Sequence, residues 1–199
     1  PTGFSASRAV DLNDRGQLLG QLAGGAGAMS FLWDAVGGYT LLPGFLASNF
    51  LAKGEYYDAL GIYGGGAALP STPENVATYG SPHVAFVKKF PRTFNTEYWP
   101  KLMQGALDKA GLTMNDIDHF LFTQLNLRTI ESMMELIGQP LEKAHWVMDK
   151  WGYTGSPCVI MALDDAIANG REPKPGQNVL FCASGGGISM AASVWRWTR

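Results

Sequence analysis

The stretch PCVIMALDDAIA, residues 157–168, decides the fold. Pro157 suits the first position of a helix, where a missing N–H costs little. Six apolar residues, 158–163, follow it without a polar break. A helix that is apolar on every side is buried on every side. The stretch therefore predicts a helix between two layers, with Asp164 and Asp165 near its exposed end.

The segments on either side of this helix alternate between strand and helix patterns. Apolar side chains at three- and four-residue spacing predict helices over 96–110 and 127–137. Short apolar runs predict strands at 18–19, 29–33, 46–52, 120–122, 145–148, 179–182 and 190–197, and the Gly-, Pro- and Ser-rich residues 61–82 predict a long surface loop. Strands that alternate with helices indicate an α/β fold.

The composition excludes several classes of protein. The chain has 199 residues, of which 46% are hydrophobic and 16% charged, and its net charge is -2. Such a chain is globular, has no basic face for nucleic acid, and contains no apolar run of the ~18 residues that a membrane helix needs. Two cysteines and no secretory leader favour a cytoplasmic protein. The absence of an initiator Met suggests a fragment or a processed piece.

Several motifs occur in a fixed order. They are IDHFLFTQLNLR at 117–128, GYTGS at 152–156, KPG at 174–176 and GGG at 185–187, preceded by a Ser-Arg, Asp-Arg and Gly-Ala-Gly-Ala series within 7–28. In this order they resemble β-ketoacyl-acyl-carrier-protein synthase III of the thiolase superfamily. The alternative, that residues 1–45 form an unrelated β-repeat, fits the kept motif order less well.

The resemblance implies a thiolase-like α/β fold, a mixed sheet covered by helices on both faces. Residues 1–45 would be the end of the N-terminal half of that fold, and 46–199 the C-terminal domain. The upstream half, which carries the family's nucleophilic cysteine, has no counterpart here. Neither Cys158 nor Cys182 aligns with that cysteine, so both are expected to be small buried hydrophobes.

The resemblance also places two substitutions at the catalytic positions. Thr123 stands where the family has its catalytic His, and Tyr153 where it has Asn. A threonine donates one hydrogen bond but carries no charge, and a tyrosine hydroxyl has an ordinary pKa of about 10. Two interpretations remain open: both residues pack and decarboxylative condensation is lost, or both donate hydrogen bonds to a thioester carbonyl.

The other candidate site residues fall into three groups, all taken from the resemblance. They are the backbone of Gly185, Gly186 and Gly187 for an oxyanion; Gln124, Asn126, Gly152 and Thr154 as pocket support; and Lys88, Lys89 and Arg92 at the entrance for coenzyme A or a carrier protein. A tight turn, helix capping and a solvated loop are the structural alternatives. His83, His119 and His145 have no partners at metal-ligand spacing, so no metal is expected, and no cofactor beyond the thioester substrate.

The resemblance implies an acyltransferase component that acts on acyl thioesters of coenzyme A or acyl-carrier protein. Its cysteine would come from a companion chain or an upstream half, within a homo- or hetero-oligomer. Whether the chain is an enzyme stays open, because the alternative is a non-catalytic partner that stabilises or regulates an active homologue. Neither nucleic acid nor a membrane is an expected partner.

Overall fold

A computed structural model describes the backbone of residues 6–12, 18–24, 27–36, 38–41, 44–91 and 93–198, with side chains for 35–36, 44–91 and 93–198. The described strands are β1 (Ala6–Leu12), β2 (Leu18–Gly24), β3 (Gly27–Asp34), β4 (Gly38–Leu41), β5 (Gly44–Ala52), β6 (Leu60–Ile62), β7 (Val84–Phe86), β8 (His119–Phe122), β9 (Asn178–Gly185) and β10 (Ser189–Arg196). The α-helices are α1 (Pro73–Tyr79), α2 (Phe94–Ala110), α3 (Leu127–Leu136), α4 (Met148–Trp151) and α5 (Cys158–Ala168).

The described strands form three sheets. Strands β1 to β4 make an antiparallel meander in chain order. The second sheet has the order β5-β10-β9-β8, in which β8 and β9 are parallel and the other pairs are antiparallel. Strands β6 and β7 form a two-stranded ribbon. The second sheet is thus mixed, and it carries most of the described core.

Alternate side chains of the second sheet supply two separate cores. Phe120 and Phe122 of β8 belong to the cluster that α2 and α3 cover. Leu121, between them in sequence, belongs with Val179 to the cluster under α5. Side chains alternate between the faces of a strand, so α2 and α3 lie on one face of the sheet and α5 on the other. This arrangement confirms the predicted mixed sheet covered by helices.

Helix α2 ends at Ala110, directly before a glycine that suits a helix end. Gly111 follows it in the left-handed conformation, with a φ of 67°, and its N–H bonds the carbonyls of Asp108 and Leu107. Glycine adopts that conformation without steric cost, which is why it terminates helices so often. The stop also leads the chain back to the start of β8.

Helix α5 is buried on one face only. Cys158, Val159, Ala162 and Ala166 are buried, whereas Ile160 is 60% exposed. Burial of the helix on every side was predicted, and the described residues of this chain cover only one face. The second layer that its apolar sequence requires is still a prediction.

Two local predictions are wrong. Residues 61–82 are not one long loop: Thr72 accepts a hydrogen bond from the N–H of Asn75 and caps α1, with proline at the helix start. Residues 145–148 are not a strand either. Ala144 makes a single bridge to Phe120, and the carbonyl of Val147 then accepts the N–H of Lys150, which bends the chain into α4.

Candidate functional site

The residue that follows β8 is held in one orientation by β9. The N–H of Thr123 donates to the carbonyl of Cys182 at 3.2 Å, and its Oγ1 accepts the N–H of Ser184 at 2.9 Å. A hydroxyl that already accepts a bond keeps its own O–H for donation. Thr123 is 9% exposed and lines a cavity. These two bonds orient Thr123 at the cavity wall, and its hydroxyl keeps an O–H that can donate.

Ser184 links this hydroxyl to helix α2. Its Oγ accepts the indole N–H of Trp99 at 2.7 Å and lies 3.5 Å from Oδ1 of Asn95. The Trp99 ring stacks on Phe122, with ring centroids 5.3 Å apart and an interplanar angle of 12°. Residues from α2, β8 and β9 thus form one polar centre on a rigid aromatic support.

The glycine triplet closes the hairpin between β9 and β10. Ile188, just after it, exchanges two backbone hydrogen bonds with Lys53, at 2.8 and 3.3 Å, which fasten the turn to the end of β5. Gly185 and Gly186 line the same cavity as Thr123. Gly187, with a φ of 111°, turns the chain and is not among the lining residues. Two of the three predicted glycines therefore lie beside the polar centre.

Tyr153 reaches the cavity from the loop between α4 and α5. Its side chain is about half exposed, and burial of the hydroxyl, with a smaller contribution from the Cys158 thiol, raises its pKa above the ordinary value. A tyrosine with a raised pKa stays protonated at neutral pH. Tyr153 consequently keeps its O–H at neutral pH, and both interpretations of the sequence stay open.

The cavity around these groups, called the Thr123 cavity below, has a volume of about 610 Å³. Most of its wall is apolar and aromatic: Leu60, Val84, Phe86, Phe90, Pro91, Phe94, Trp99, Leu125, Tyr153 and Ile188. Asn126 and Thr129 add polar atoms, and none of the described lining residues is acidic, basic or a histidine. A concave apolar site with a few converging polar groups is the usual form of a ligand pocket.

Three of the predicted support residues do not line the cavity. Gln124 is fully buried, and its side chain donates to the carbonyls of Phe122 and His145 and accepts the N–H of Val147. The hydroxyl of Thr154 contacts the sulfur of Met161 at 3.2 Å, and Gly152 ends α4. These residues stabilise the segments that carry Thr123 and Tyr153.

The predicted entrance lysines lie on the surface, outside the lining of the Thr123 cavity. Nζ of Lys88 is 2.6 Å from Oδ1 of Asp58, so its charge is already paired, and this partner lowers the pKa of Asp58. Lys89 is exposed, and Arg92 lies outside the described residues. Of the three predicted entrance residues, Lys89 is therefore the one whose described side chain is exposed and is not in the Lys88–Asp58 ion pair.

Both cysteines are buried, and neither lines the Thr123 cavity. Burial raises the pKa of the Cys182 thiol far above its usual range. A thiol reacts as its thiolate, and a buried apolar site suppresses that form. Cys158 begins α5 and packs in the core under that helix. The described residues thus place no thiol in the cavity.

The histidines lie away from the Thr123 cavity. Burial lowers the pKa of His119, and its Nε2 is 3.3 Å from Oε1 of Gln177. His145 bridges two charged residues: Arg171 Nη1 donates to its Nδ1 at 2.9 Å, so Nε2 carries the hydrogen and donates to Asp165 at 2.8 Å. No group of three or more His, Cys, Asp or Glu within the described ranges is placed to hold a metal ion.

Asp165 gives this cluster a testable pH dependence. Hydrogen bonds from Lys150 and then His145 hold its pKa below the usual range. A depressed pKa stabilises the fold fully above the unfolded value of about 3.9, and that contribution is lost as the pH falls through the folded pKa. Asp165→Asn is therefore expected to lower the urea midpoint of unfolding at pH 7. Below pH 4, the difference in urea midpoint between the variant and wild type should become smaller.

The control for this prediction is the adjacent exposed residue. Asp164→Asn makes the same change in charge at a position that has no ion pair among the described residues. Its urea midpoint should stay near wild type at both pH values. An equal effect of the two substitutions at pH 7 would contradict a specific role for Asp165.

Ser184, Asn95 and Trp99 were not predicted as site residues. Ser184 directly precedes the glycine triplet, and Asn95 and Trp99 are four residues apart, hence on one side of α2. Those positions were visible in the sequence, but the contact between α2 and β9 was not.

The described part of the chain has no helix of the length and apolar character needed to cross a bilayer.

Comparisons with known proteins identify the family that this chain resembles. A family profile described as "3-Oxoacyl-[acyl-carrier-protein (ACP)] synthase III C terminal" matches residues 107–197. A β-ketoacyl-acyl-carrier-protein synthase III from Erythrobacter litoralis is 32% identical over 191 residues, which cover 96% of this chain and 56% of that protein. One from Fusobacterium nucleatum is 31% identical, with the same coverage.

Solved structures agree on the fold. A synthase III structure from Thermus thermophilus superposes with a TM-score of 0.59 at 27% identity, covering 78% of this chain and 46% of that one. One from Pseudomonas aeruginosa gives a TM-score of 0.63 at 19% identity, covering 87% and 49%. The chain spans about half the length of the relatives it matches. It belongs to the β-ketoacyl-acyl-carrier-protein synthase III-like proteins of the thiolase superfamily and corresponds to their C-terminal part.

Proposed function

We propose that this chain is one half of an acyltransferase that acts on acyl thioesters of coenzyme A or acyl-carrier protein. This half supplies the hydrogen-bond donors. The observation that carries the proposal is the hydrogen bond from the Ser184 N–H to Thr123 Oγ1, which leaves the Thr123 O–H free beside an apolar cavity. That hydroxyl and the Tyr153 hydroxyl would donate to the thioester carbonyl oxygen. Such donors stabilise the charge that develops on the oxygen during acyl transfer.

The proposed step needs a thiolate from outside the described residues. That thiolate attacks the carbonyl carbon, a new C–S bond forms, and the carbon–sulfur bond to the coenzyme breaks, so one thioester and one thiolate replace another pair. Backbone N–H groups near Gly185 and Gly186 would supply further donors to the oxygen. No proton transfer is required in this exchange, which suits a cavity without a described acid or base.

Decarboxylative condensation receives less support from this half. The family's His and Asn are replaced by neutral hydroxyls, and the described residues that line the Thr123 cavity include no cation for an enolate. Acyl transfer without decarboxylation needs only hydrogen-bond donors to one oxygen. We therefore favour simple acyl transfer as the reaction.

A companion polypeptide, or an upstream half, would supply the thiolate and cover α5. Ile160 and Trp151, on and before that helix, are 60% and 62% exposed. A patch of exposed large apolar side chains commonly marks an interface. Lys89 would face an acidic carrier protein. We place the assembled protein in the cytoplasm and in fatty acid or related acyl metabolism.

The second candidate function is a non-catalytic partner of an active homologue. The replacement of the family's catalytic His and Asn, together with the burial of both described cysteines, favours it. In that case, the active homologue would become acylated whether or not Thr123 and Tyr153 of this chain keep their hydroxyls. This difference separates the two candidates.

The test is acyl transfer measured by mass spectrometry with the polypeptide encoded beside this one. After incubation with octanoyl-coenzyme A, we expect an octanoyl adduct on a cysteine of the companion. Thr123→Val and Tyr153→Phe should each slow its formation by roughly 3- to 10-fold, the value of one hydrogen bond. Thr78→Val and Tyr57→Phe, exposed positions outside the cavity, are the matched controls.

Three results would overturn the proposal. They are an adduct on Cys158 or Cys182, an unchanged rate in both cavity variants, and an equal loss in the control variants. An unchanged rate with a labelled companion would favour the non-catalytic partner.

A further inference from the structure

A second cavity lies on the opposite face of the β6–β7 ribbon. Val84 and Phe86 of β7 line the Thr123 cavity, whereas Ala85 and Val87, the residues that alternate with them, line a separate cavity of about 330 Å³. The two cavities share no lining residue. We call the second one the ribbon cavity. Its volume lies in the range of small-molecule sites.

The walls of the ribbon cavity are positioned by contacts within residues 58–88. The Tyr63 hydroxyl donates to the carbonyl of Asp58, and its ring lies over Gly61, where an added Cβ would approach the ring to 3.3 Å. The N–H of Gly65 bonds the carbonyl of Leu69, and the side chain of Asn75 bonds that of Pro70, both at 2.8 Å. The site is thus largely preformed.

The lining of this cavity selects for a neutral, flat ligand. Its walls are mainly apolar and include the rings of Tyr63, Tyr79, His83, Pro70 and Pro82. Among the described residues that line it, none is acidic and none is a lysine or arginine. A charged ligand would lose its hydration without gaining a counter-charge, whereas an aromatic ring gains contacts with the tyrosine faces.

His83 adds one hydrogen-bonding requirement. Its Nδ1 lies 2.8 Å from the carbonyl of Ser81. A carbonyl only accepts, so Nδ1 carries the hydrogen, and Nε2 of the neutral ring is an acceptor. From this geometry we propose that the ribbon cavity is a second binding site, for a small neutral aromatic molecule with an O–H or N–H donor, of the phenol or indole class. The site is independent of the acyl-transfer reaction.

The test is titration of the complete chain with phenol, followed by ¹H–¹⁵N NMR. Saturable shifts at Ala85 and Val76 are expected, with a Kd on the order of 1 mM for so small a ligand. His83→Phe keeps a ring but removes the acceptor, so it should weaken phenol binding by roughly 2- to 10-fold and leave toluene binding unchanged. Ala85→Phe should fill the cavity and weaken both ligands by about tenfold or more.

The matched control is Val84→Phe, a similar enlargement on the opposite face of the same strand, which should leave phenol affinity unchanged. Phenylacetate and cyclohexanol, which lack neutrality and aromaticity respectively, should bind at least about fivefold more weakly than phenol. Phenol binding that is non-saturable, insensitive to Ala85→Phe or equally weakened by Val84→Phe would overturn the proposal. Equal loss of phenol and toluene in His83→Phe would remove the donor requirement and with it the ligand class.

Discussion

Trp99→Ala is expected to lower the free energy of unfolding by about 3–5 kcal/mol, the range for removing a large buried aromatic side chain. Trp99 is 1% exposed, stacks on Phe122 and donates its indole N–H to Ser184. The substitution leaves a void between α2 and the sheet and removes the support of Ser184. Urea unfolding followed by circular dichroism measures the loss.

Trp99→Phe separates packing from hydrogen bonding. It keeps an aromatic ring against Phe122 and loses the bond to Ser184, so a smaller loss of about 1–2 kcal/mol is expected. The matched control is Trp151→Ala, because Trp151 is 62% exposed and its removal should change stability by no more than about 0.5 kcal/mol. A similar loss in the free energy of unfolding for Trp99→Ala and Trp151→Ala would contradict the role of Trp99 in the core.

Gln124→Leu is expected to lower the free energy of unfolding by about 2–6 kcal/mol, since it leaves two backbone groups without their partner at about 1–3 kcal/mol each. The Gln124 side chain accepts the N–H of Val147 at 2.9 Å and donates to the carbonyl of His145 at 3.3 Å. Leucine fills a similar volume but satisfies neither group. The loss therefore arises from polar groups rather than from a cavity.

Hydrogen exchange identifies where that loss occurs. The amide of Val147 should exchange faster in Gln124→Leu, beyond the change that global destabilisation produces. Gln104→Leu, on the exposed side of α2, is the control and should stay within about 0.5 kcal/mol of wild type. An unchanged relative protection of Val147 would refute the role given to Gln124.

Periodicity made the long elements predictable. Helices α2, α3 and α5 and strands β8, β9 and β10 have strong apolar patterns, and each lies close to its predicted position. Helix α1 was missed although Thr72-Pro73 is a helix-start signal, because seven mostly polar residues give little periodicity. The strand prediction for 145–148 was wrong for a different reason. The composition of this stretch is strand-like, but local hydrogen bonds form α4 instead.

The site was predictable only in part. Motif order led to Thr123, Tyr153 and two of the glycines, which line one cavity. The role of Ser184 depends on the N–H that it gives to Thr123 and the indole N–H that it receives from Trp99, 85 positions away in the chain. Such a contact results from packing α2 on the sheet, and no local pattern encodes it.

Under the proposed acyl transfer, the hydroxyls of Thr123 and Tyr153 have a consequence for how the rate responds to pH. A threonine does not ionise in water's accessible range, and Tyr153, whose pKa burial raises above the ordinary value, keeps its proton at neutral pH. The described lining of the Thr123 cavity therefore adds no ionisation from mild acid to mild base, and a flat profile of rate against pH is expected from it. Any rise or fall measured there would report ionisation of the incoming sulfur or of its own neighbours.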